Sequence, residues 1–153
     1  MNAMAYSRPV FRTMLDIVNL GIAYYRSEDA THALDACKAW QPSMPDLDFY
    51  EAWLLMRAHC NAPAFSLLRN LDDNPMTKPT LRAMAQTLMA QIQLRLGDPE
   101  WHVMAQRVID DGACSEAAAM AQMLLNPGSE AQPTDSAMPR PGIDTTSTHM
   151  LRA

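Results

Sequence analysis

The chain has 153 residues, of which 48% are hydrophobic and 19% are charged, and its net charge is −5. This apolar content is sufficient for a packed core, so the chain as a whole is not expected to be intrinsically disordered. The 13 Met and the many Ala and Leu residues favour helix, while the scarcity of Gly and aromatic residues argues against a β-sandwich or barrel. No basic cluster is present, which excludes nucleic acid as the expected partner.

Helix-breaking residues divide the first half of the chain into four predicted helices. The first is predicted from about Arg8 to Ser27, and the second from about Asp29 to Trp40. A third helix is predicted to start near Asp46 and to reach Cys60. Asn61 is predicted to cap a fourth helix, which ends at the polar run that follows Leu71.

Three further helices are predicted in the second half. The fifth, from about Pro79 to Leu96, carries one continuous apolar stripe and is closed by Gly97. Asp98 is predicted to cap the sixth helix, which Gly112 ends. The seventh is predicted from Ser115 to Leu125.

The composition changes after Leu125. Residues 126–153 are rich in Pro, Ser and Thr and keep no periodic apolar pattern, so we expect a disordered tail behind a helical-repeat domain at residues 1–125. Asp16 and Asn19 interrupt the N-terminal apolar region, which argues against a Sec-type signal peptide. No run of apolar residues is long enough to predict a transmembrane segment.

Short turns between helices predict an all-α fold of three antiparallel helix pairs plus a capping helix. We expect a tetratricopeptide-like α-solenoid, with a closed helical bundle as the alternative that periodicity cannot separate from it. Leu20, Gly21, Tyr24 and Ala33 have the spacing of a tetratricopeptide repeat. In that register, the small residues Gly21 and Ala33 let the two helices of the first pair approach closely.

The sequence predicts neither catalysis nor a cofactor. It contains no Gly-rich phosphate loop, no GxSxG and no HExxH motif. Cys37, Cys60 and Cys114 are expected to be buried and reduced, because an odd number of distant cysteines is not a disulfide framework. His59 and Cys60 are adjacent on a helix and point about 100° apart, so no metal site is predicted.

The predicted solenoid has a concave face made by the first helix of each pair. An apolar groove on this face, with Arg26, Arg57 and Arg95 at one rim, would suit an amphipathic helix of a partner. The alternative is that the same apolar residues fill an ordinary core. The candidate partner-binding residues are Val18, Ile22, Tyr25, Phe49, Trp53, Met56, Leu88 and Ile92.

Several stretches of the chain resemble the HrpB-one/HrpK family of type III secretion proteins of Gram-negative bacteria. These are Phe49-Tyr-Glu-Ala-Trp-Leu-Leu-Met56, Leu67-Leu-Arg-Asn-Leu-Asp72, Leu96-Gly-Asp-Pro-Glu-Trp101 and the region from Val108 to Leu125. The resemblance covers about Leu15 to Leu125. The family usually has a Gly-containing turn where this chain has Arg57-Ala-His-Cys-Asn61, so the geometry of that turn needs testing.

The resemblance implies a non-enzymatic accessory protein of a type III secretion system. Such a protein is expected to bind needle, rod or envelope components of the apparatus as a chaperone or assembly factor. The expected compartment is the bacterial cytoplasm, or the periplasm if the secretion system itself exports the protein. The alternative is a structural protein that self-assembles as a homo-oligomer and associates with the apparatus or with peptidoglycan.

Overall fold

The computed structural model describes residues 3–128, and it describes side chains from residue 8 onward. The predicted tail therefore lies outside the described residues, except for its first three positions. All regular structure in the described part of the chain is α-helical, as predicted. The helices are α1 (Ala3–Ala23), α2 (Ser27–Trp40), α3 (Pro45–Arg57), α4 (Asn61–Asp73), α5 (Pro79–Leu96), α6 (Trp101–Asp111) and α7 (Ser115–Leu125).

Consecutive helices form hairpins. Helix α1 packs against α2, α3 against α4 and α5 against α6, while α7 packs on both α5 and α6. Helix α2 also contacts α3, and α4 contacts α5, so each hairpin packs on the next. The first helices of the second and third hairpins meet as well, since α3 contacts α5.

The turns inside the three hairpins share one geometry. Helices α1, α3 and α5 are each followed, within two residues, by a residue in the left-handed region, with φ of 59° at Tyr25, 61° at His59 and 73° at Gly97. In each turn the next backbone N–H donates to a carbonyl five residues earlier: Arg26 to Gly21 at 2.8 Å, Cys60 to Leu55 at 2.9 Å and Asp98 to Gln93 at 2.9 Å. This is the Schellman motif that closes many helices. His59 therefore takes the conformation that Gly favours, and the Arg57–Asn61 turn keeps the geometry of the others.

The first hairpin is close-packed at Gly21, but its partner is not the predicted Ala33. A Cβ on Gly21 would lie 2.7 Å from the Cβ of Ala30, which is completely buried. Leu20 and Tyr24, which belong to the same repeat spacing, are exposed. The repeat spacing alone therefore does not tell which of its positions are buried.

The core consists of three connected clusters. One fills the first hairpin and its contact with α3, a second lies between α3, α4 and α5, and a third lies between α5, α6 and α7. The half-buried rings of Tyr50 and Trp53 pack against both the first and the second cluster. Met84 and Met104 join the second cluster to the third. Partly buried side chains thus hold the hairpins together.

Three predicted helix starts are wrong. Helix α1 extends back to Ala3, so Pro9 lies inside it and not in its first turn. A proline inside a helix removes one hydrogen bond to the preceding turn. Asn61 lies in the first turn of α4 and is not its cap; its Oδ1 atom has no hydrogen-bond partner in the described residues. Asp98 is not the N-cap of α6, which is Glu100, although the Asp98 carboxylate accepts from the Glu100 backbone N–H at 2.9 Å in the turn before the helix. Gly97 and Gly112 end α5 and α6 as predicted.

The close contact at Gly21 predicts that a larger residue at this position lowers the free energy of unfolding. We expect Gly21→Ala to destabilise the protein by about 1–3 kcal/mol, because the added methyl group overlaps Ala30. This loss exceeds the roughly 1 kcal/mol by which Ala is favoured over Gly inside a helix. Urea unfolding of Gly21→Ala, Ala30→Gly and the double variant measures the effect. Strictly additive changes in the free energy of unfolding would contradict direct contact between these positions.

The left-handed conformation of His59 predicts an increase in stability. His59→Gly should raise the free energy of unfolding by about 1 kcal/mol, because Gly removes the steric cost of a positive φ. Ala58→Gly is the matched control, since Ala58 has a φ of −77° and gains nothing from Gly. Thermal unfolding followed by circular dichroism compares the two variants. A lower melting temperature for His59→Gly would show that the turn has another geometry.

Candidate partner-binding surface

The eight predicted partner-binding residues do not form one open groove. Tyr25 is exposed, with 82% of its surface accessible, and Trp53 is half-buried. The other six belong to the core clusters, as the alternative interpretation expected, and their role in binding a partner stays a prediction. These six are Val18, Ile22, Phe49, Met56, Leu88 and Ile92.

One row of side chains on α3 lies at the boundary between the core and solvent. Asp46, Tyr50, Trp53 and Arg57 are spaced one helical turn apart, and all four are half-buried. We call this row the α3 stripe. The ring of Phe49 packs edge-on against Tyr50 and Trp53, with both centroid distances 5.8 Å. The buried Phe49 ring therefore limits the orientations of the two accessible aromatic rings.

Helix α1 borders the α3 stripe on one side. The Asn19 side-chain amide donates to the Tyr50 hydroxyl at 3.3 Å. At the end of the two helices, the Arg57 guanidinium lies 4.0 Å from the centroid of the Tyr25 ring, which is a cation–π contact. Tyr25 follows the end of α1, and Arg57 is the last residue of α3. The C-terminal ends of the two helices therefore lie together, so α1 and α3 run in the same direction.

Helix α5 borders the other side of the α3 stripe. Arg95, near the end of α5, donates to the Met56 carbonyl at 3.2 Å, so α5 runs parallel to α3 and α1. Nearer the start of both helices is a shallow cleft of about 260 Å³. Its lining includes Leu81 and Met84 from α5, Asp46 and Tyr50 from α3, and Lys78 just before α5. We call this the α3–α5 cleft.

Two of the predicted α3 residues are buried, and the accessible positions lie one residue further along the helix. Phe49 and Met56 point into the core, whereas Tyr50 and Arg57 lie beside them on the accessible face. The signal was present in the sequence: the α3 stripe combines aromatic rings with charged residues at both ends. A boundary face has this mixed pattern, whereas a core face is apolar throughout. Of the rim arginines, Arg57 and Arg95 lie at this face, and Arg26 pairs with Asp29.

A larger open depression, of about 570 Å³, lies on α6 near the end of α7. Its walls carry mixed charges, including Arg107, Asp110 and Asp111, around Val103 and Leu125. Asp110 also accepts a hydrogen bond from Gln106 at 2.8 Å, so part of this charge is engaged locally. The depression lacks the pair of ordered aromatic rings that the α3 stripe provides.

The cysteines differ from one another in exposure. Cys37 is buried, and this burial raises the pKa of its thiol. Cys114 is half-buried, but Cys60 is exposed, so its predicted burial is wrong. Cys60 lies in the turn between α3 and α4, directly after the left-handed His59, and not inside a helix. Across residues 3–128, no group of three or more His, Cys, Asp or Glu side chains could hold a metal ion.

Residues 3–128 thus form an all-helical fold with an accessible face on α3 and α5. The chain belongs to the family described as bacterial type III secretion protein (HrpB1_HrpK), whose model matches residues 1–128. No curated protein sequence matches the chain, and neither does any solved structure. Within the described residues, no helix has both the length and the hydropathy that a membrane span requires.

The exposure of the thiols predicts their order of reaction. A maleimide added to the native protein should label Cys60 first and Cys114 more slowly, whereas Cys37 should react only after unfolding. Peptide mass spectrometry at successive times measures this order. Rapid labelling of Cys37 in the native state would contradict the packing of α2 in the first hairpin.

Proposed function

We propose that this protein is a non-enzymatic accessory factor that binds a subunit of the type III secretion apparatus, as a chaperone or assembly factor. The observation that carries the proposal is the accessible face of α3 and α5, which belongs to a member of a secretion family. The proposed partner is a needle, rod or envelope component. The proposed site of action is the cytoplasm, or the periplasm if the secretion system exports the protein.

We also propose that the hairpins form a tetratricopeptide-like α-solenoid. The equivalent turn residues Tyr25 and His59 are about 34 positions apart, which is the length of one tetratricopeptide repeat. The parallel contacts of α1, α3 and α5 support an inner layer made of the first helix of each hairpin. This layer would present the α3 stripe to the partner.

The chemistry of this face suits an amphipathic helix. Tyr50 and Trp53 offer large apolar surfaces with little conformational freedom, because their rings already pack against Phe49. Leu81 and Met84 supply a flexible apolar wall in the α3–α5 cleft. Asp46 and Lys78 supply opposite charges at its edge, which can fix the direction of the bound helix.

The test is co-expression of the affinity-tagged protein with the needle and rod subunits of the same secretion system, followed by pull-down. We expect an apparatus subunit to co-purify, and Leu81→Glu to reduce its captured amount at least fivefold. A fivefold change corresponds to about 1 kcal/mol, the loss that defines an energetically important interface residue. Deletion of the gene should abolish secretion.

Leu67→Glu is the matched control, because Leu67 is also half-buried and packs against the same core cluster from α4. Equal losses of binding in the two variants would show that Leu81 acts through stability and not through contact. Circular dichroism of both variants checks that they fold. Absence of every apparatus protein from the pull-down, together with normal secretion after deletion, would overturn the proposal.

A further inference from the structure

Helix α6 borders an open groove at the point where the described part of the chain ends. The depression of about 570 Å³ on this helix continues into a second one of about 510 Å³. Gln106 and Leu125 line both depressions, so the two form one groove, which we call the α6 groove. Leu125 is the last residue of α7. The chain therefore continues into residues 129–153 from the edge of this groove.

The α6 groove has an apolar part and an acidic end. Val103, which is 54% exposed, and Leu125 form the apolar part. Asp110 and Asp111 lie in the last turn of α6, which contains no basic residue. The backbone carbonyls at the end of a helix are also partly negative, so this end favours a cation. Arg107 lies one turn earlier, and the two carboxylates outnumber it.

One segment of the chain beyond the described residues has the complementary chemistry. Residues 138–143 read Met-Pro-Arg-Pro-Gly-Ile. Pro139 and Pro141 each fix their own φ and restrict the residue before them to extended backbone. Arg140 and Ile143 are three residues apart, which is one turn of a polyproline helix and about 9 Å. The segment thus carries one basic and one apolar side chain at a restricted separation.

This separation matches the α6 groove. Val103 and Asp110 are seven residues apart on one face of α6, which is about 10 Å along the helix axis. The segment can therefore place Arg140 beside the carboxylates and Ile143 against the apolar part at the same time. The connection is long enough, because ten residues without regular structure span roughly 17 Å on average. Helix α6, with 11 residues, is about 16 Å long.

We propose that residues 138–143 bind the α6 groove of their own chain, with Arg140 at the acidic end and Ile143 on the apolar part. Both sides of the contact belong to one chain, so the segment is present at a high effective concentration. The two prolines reduce the conformational entropy that is lost on binding. The family model matches residues 1–128, so the segment lies outside the part of the chain that the family shares.

Crosslinking in the full chain tests the proposal, in a background with Cys60→Ser and Cys114→Ser. With a short bis-maleimide at low protein concentration, the pair Val103→Cys and Ile143→Cys should crosslink within one chain. The control pair is Val103→Cys and Leu151→Cys, because Leu151 also neighbours a basic residue but no proline. The longer connection alone would slow the control about twofold. We expect the first pair to react at least tenfold faster than the control.

Charge reversal distinguishes a specific contact from chance encounters. Arg140→Glu should reduce the crosslinking rate of the first pair to that of the control pair, because it places like charges together. Arg152→Glu should leave the rate of the first pair within twofold. Adding Asp110→Lys and Asp111→Lys to Arg140→Glu should restore the rate, because the charges are then opposite again.

Four results would overturn the proposal. These are rates of the two pairs within twofold of each other, equal effects of Arg140→Glu and Arg152→Glu, no recovery after the charges on α6 are reversed, and crosslinks that form mainly between chains. Mass spectrometry separates products within one chain from products between chains. The experiments use this protein alone, so their outcome is independent of binding to the secretion apparatus.

Discussion

The left-handed turn that closes each hairpin is the constraint on which the rest of the structure depends. A Schellman motif ends a helix and turns the chain back within a few residues, so the following helix packs against the first. Because Tyr25, His59 and Gly97 repeat this turn, α1, α3 and α5 run in the same direction. Their ends then meet through the contact of Arg57 with Tyr25 and of Arg95 with Met56. Glycine occupies the left-handed position in only one of these turns, so Tyr25 and His59 adopt this conformation at a steric cost.

Parallel first helices also determine which side chains remain accessible. The contact of α3 with α5 buries Phe49 and Met56 but leaves the next residues, Tyr50 and Arg57, at the boundary with solvent. A half-buried aromatic ring can contact a partner without losing its position in the core. The same arrangement leaves α1 at the edge of the array with an uncovered outer side. The face that we propose for partner binding therefore follows from the packing of the first helices.

Most of the secondary structure could be predicted from the sequence, because Pro, Gly and Asp mark the helix ends and the apolar stripes between them have helical periodicity. Gly97 takes the left-handed conformation at the end of α5, and the Asp98 carboxylate accepts a hydrogen bond from the Glu100 backbone N–H. The errors concern tertiary contacts. Periodicity identifies an apolar face but does not say whether another helix covers it, so the exposure of Leu20 and Tyr24 could not be predicted from their repeat spacing. The family membership followed from short stretches such as Leu96–Trp101. Along α3, the accessible positions lie one residue from the predicted ones, and only the packing of the neighbouring helices decides which of the two positions is buried.

Nuclear magnetic resonance of the full chain tests most directly whether the first helices of the hairpins lie side by side. The Arg57 guanidinium carbon is 4.0 Å from the centre of the Tyr25 ring, so the Arg57 side-chain protons should be shifted upfield and should show nuclear Overhauser effects to that ring. Tyr25→Leu should remove the upfield shift while the helical content stays the same. A folded, helical protein in which Arg57 shows neither the shift nor the Overhauser effects would contradict the parallel layer of α1 and α3, and with it the face assigned to partner binding.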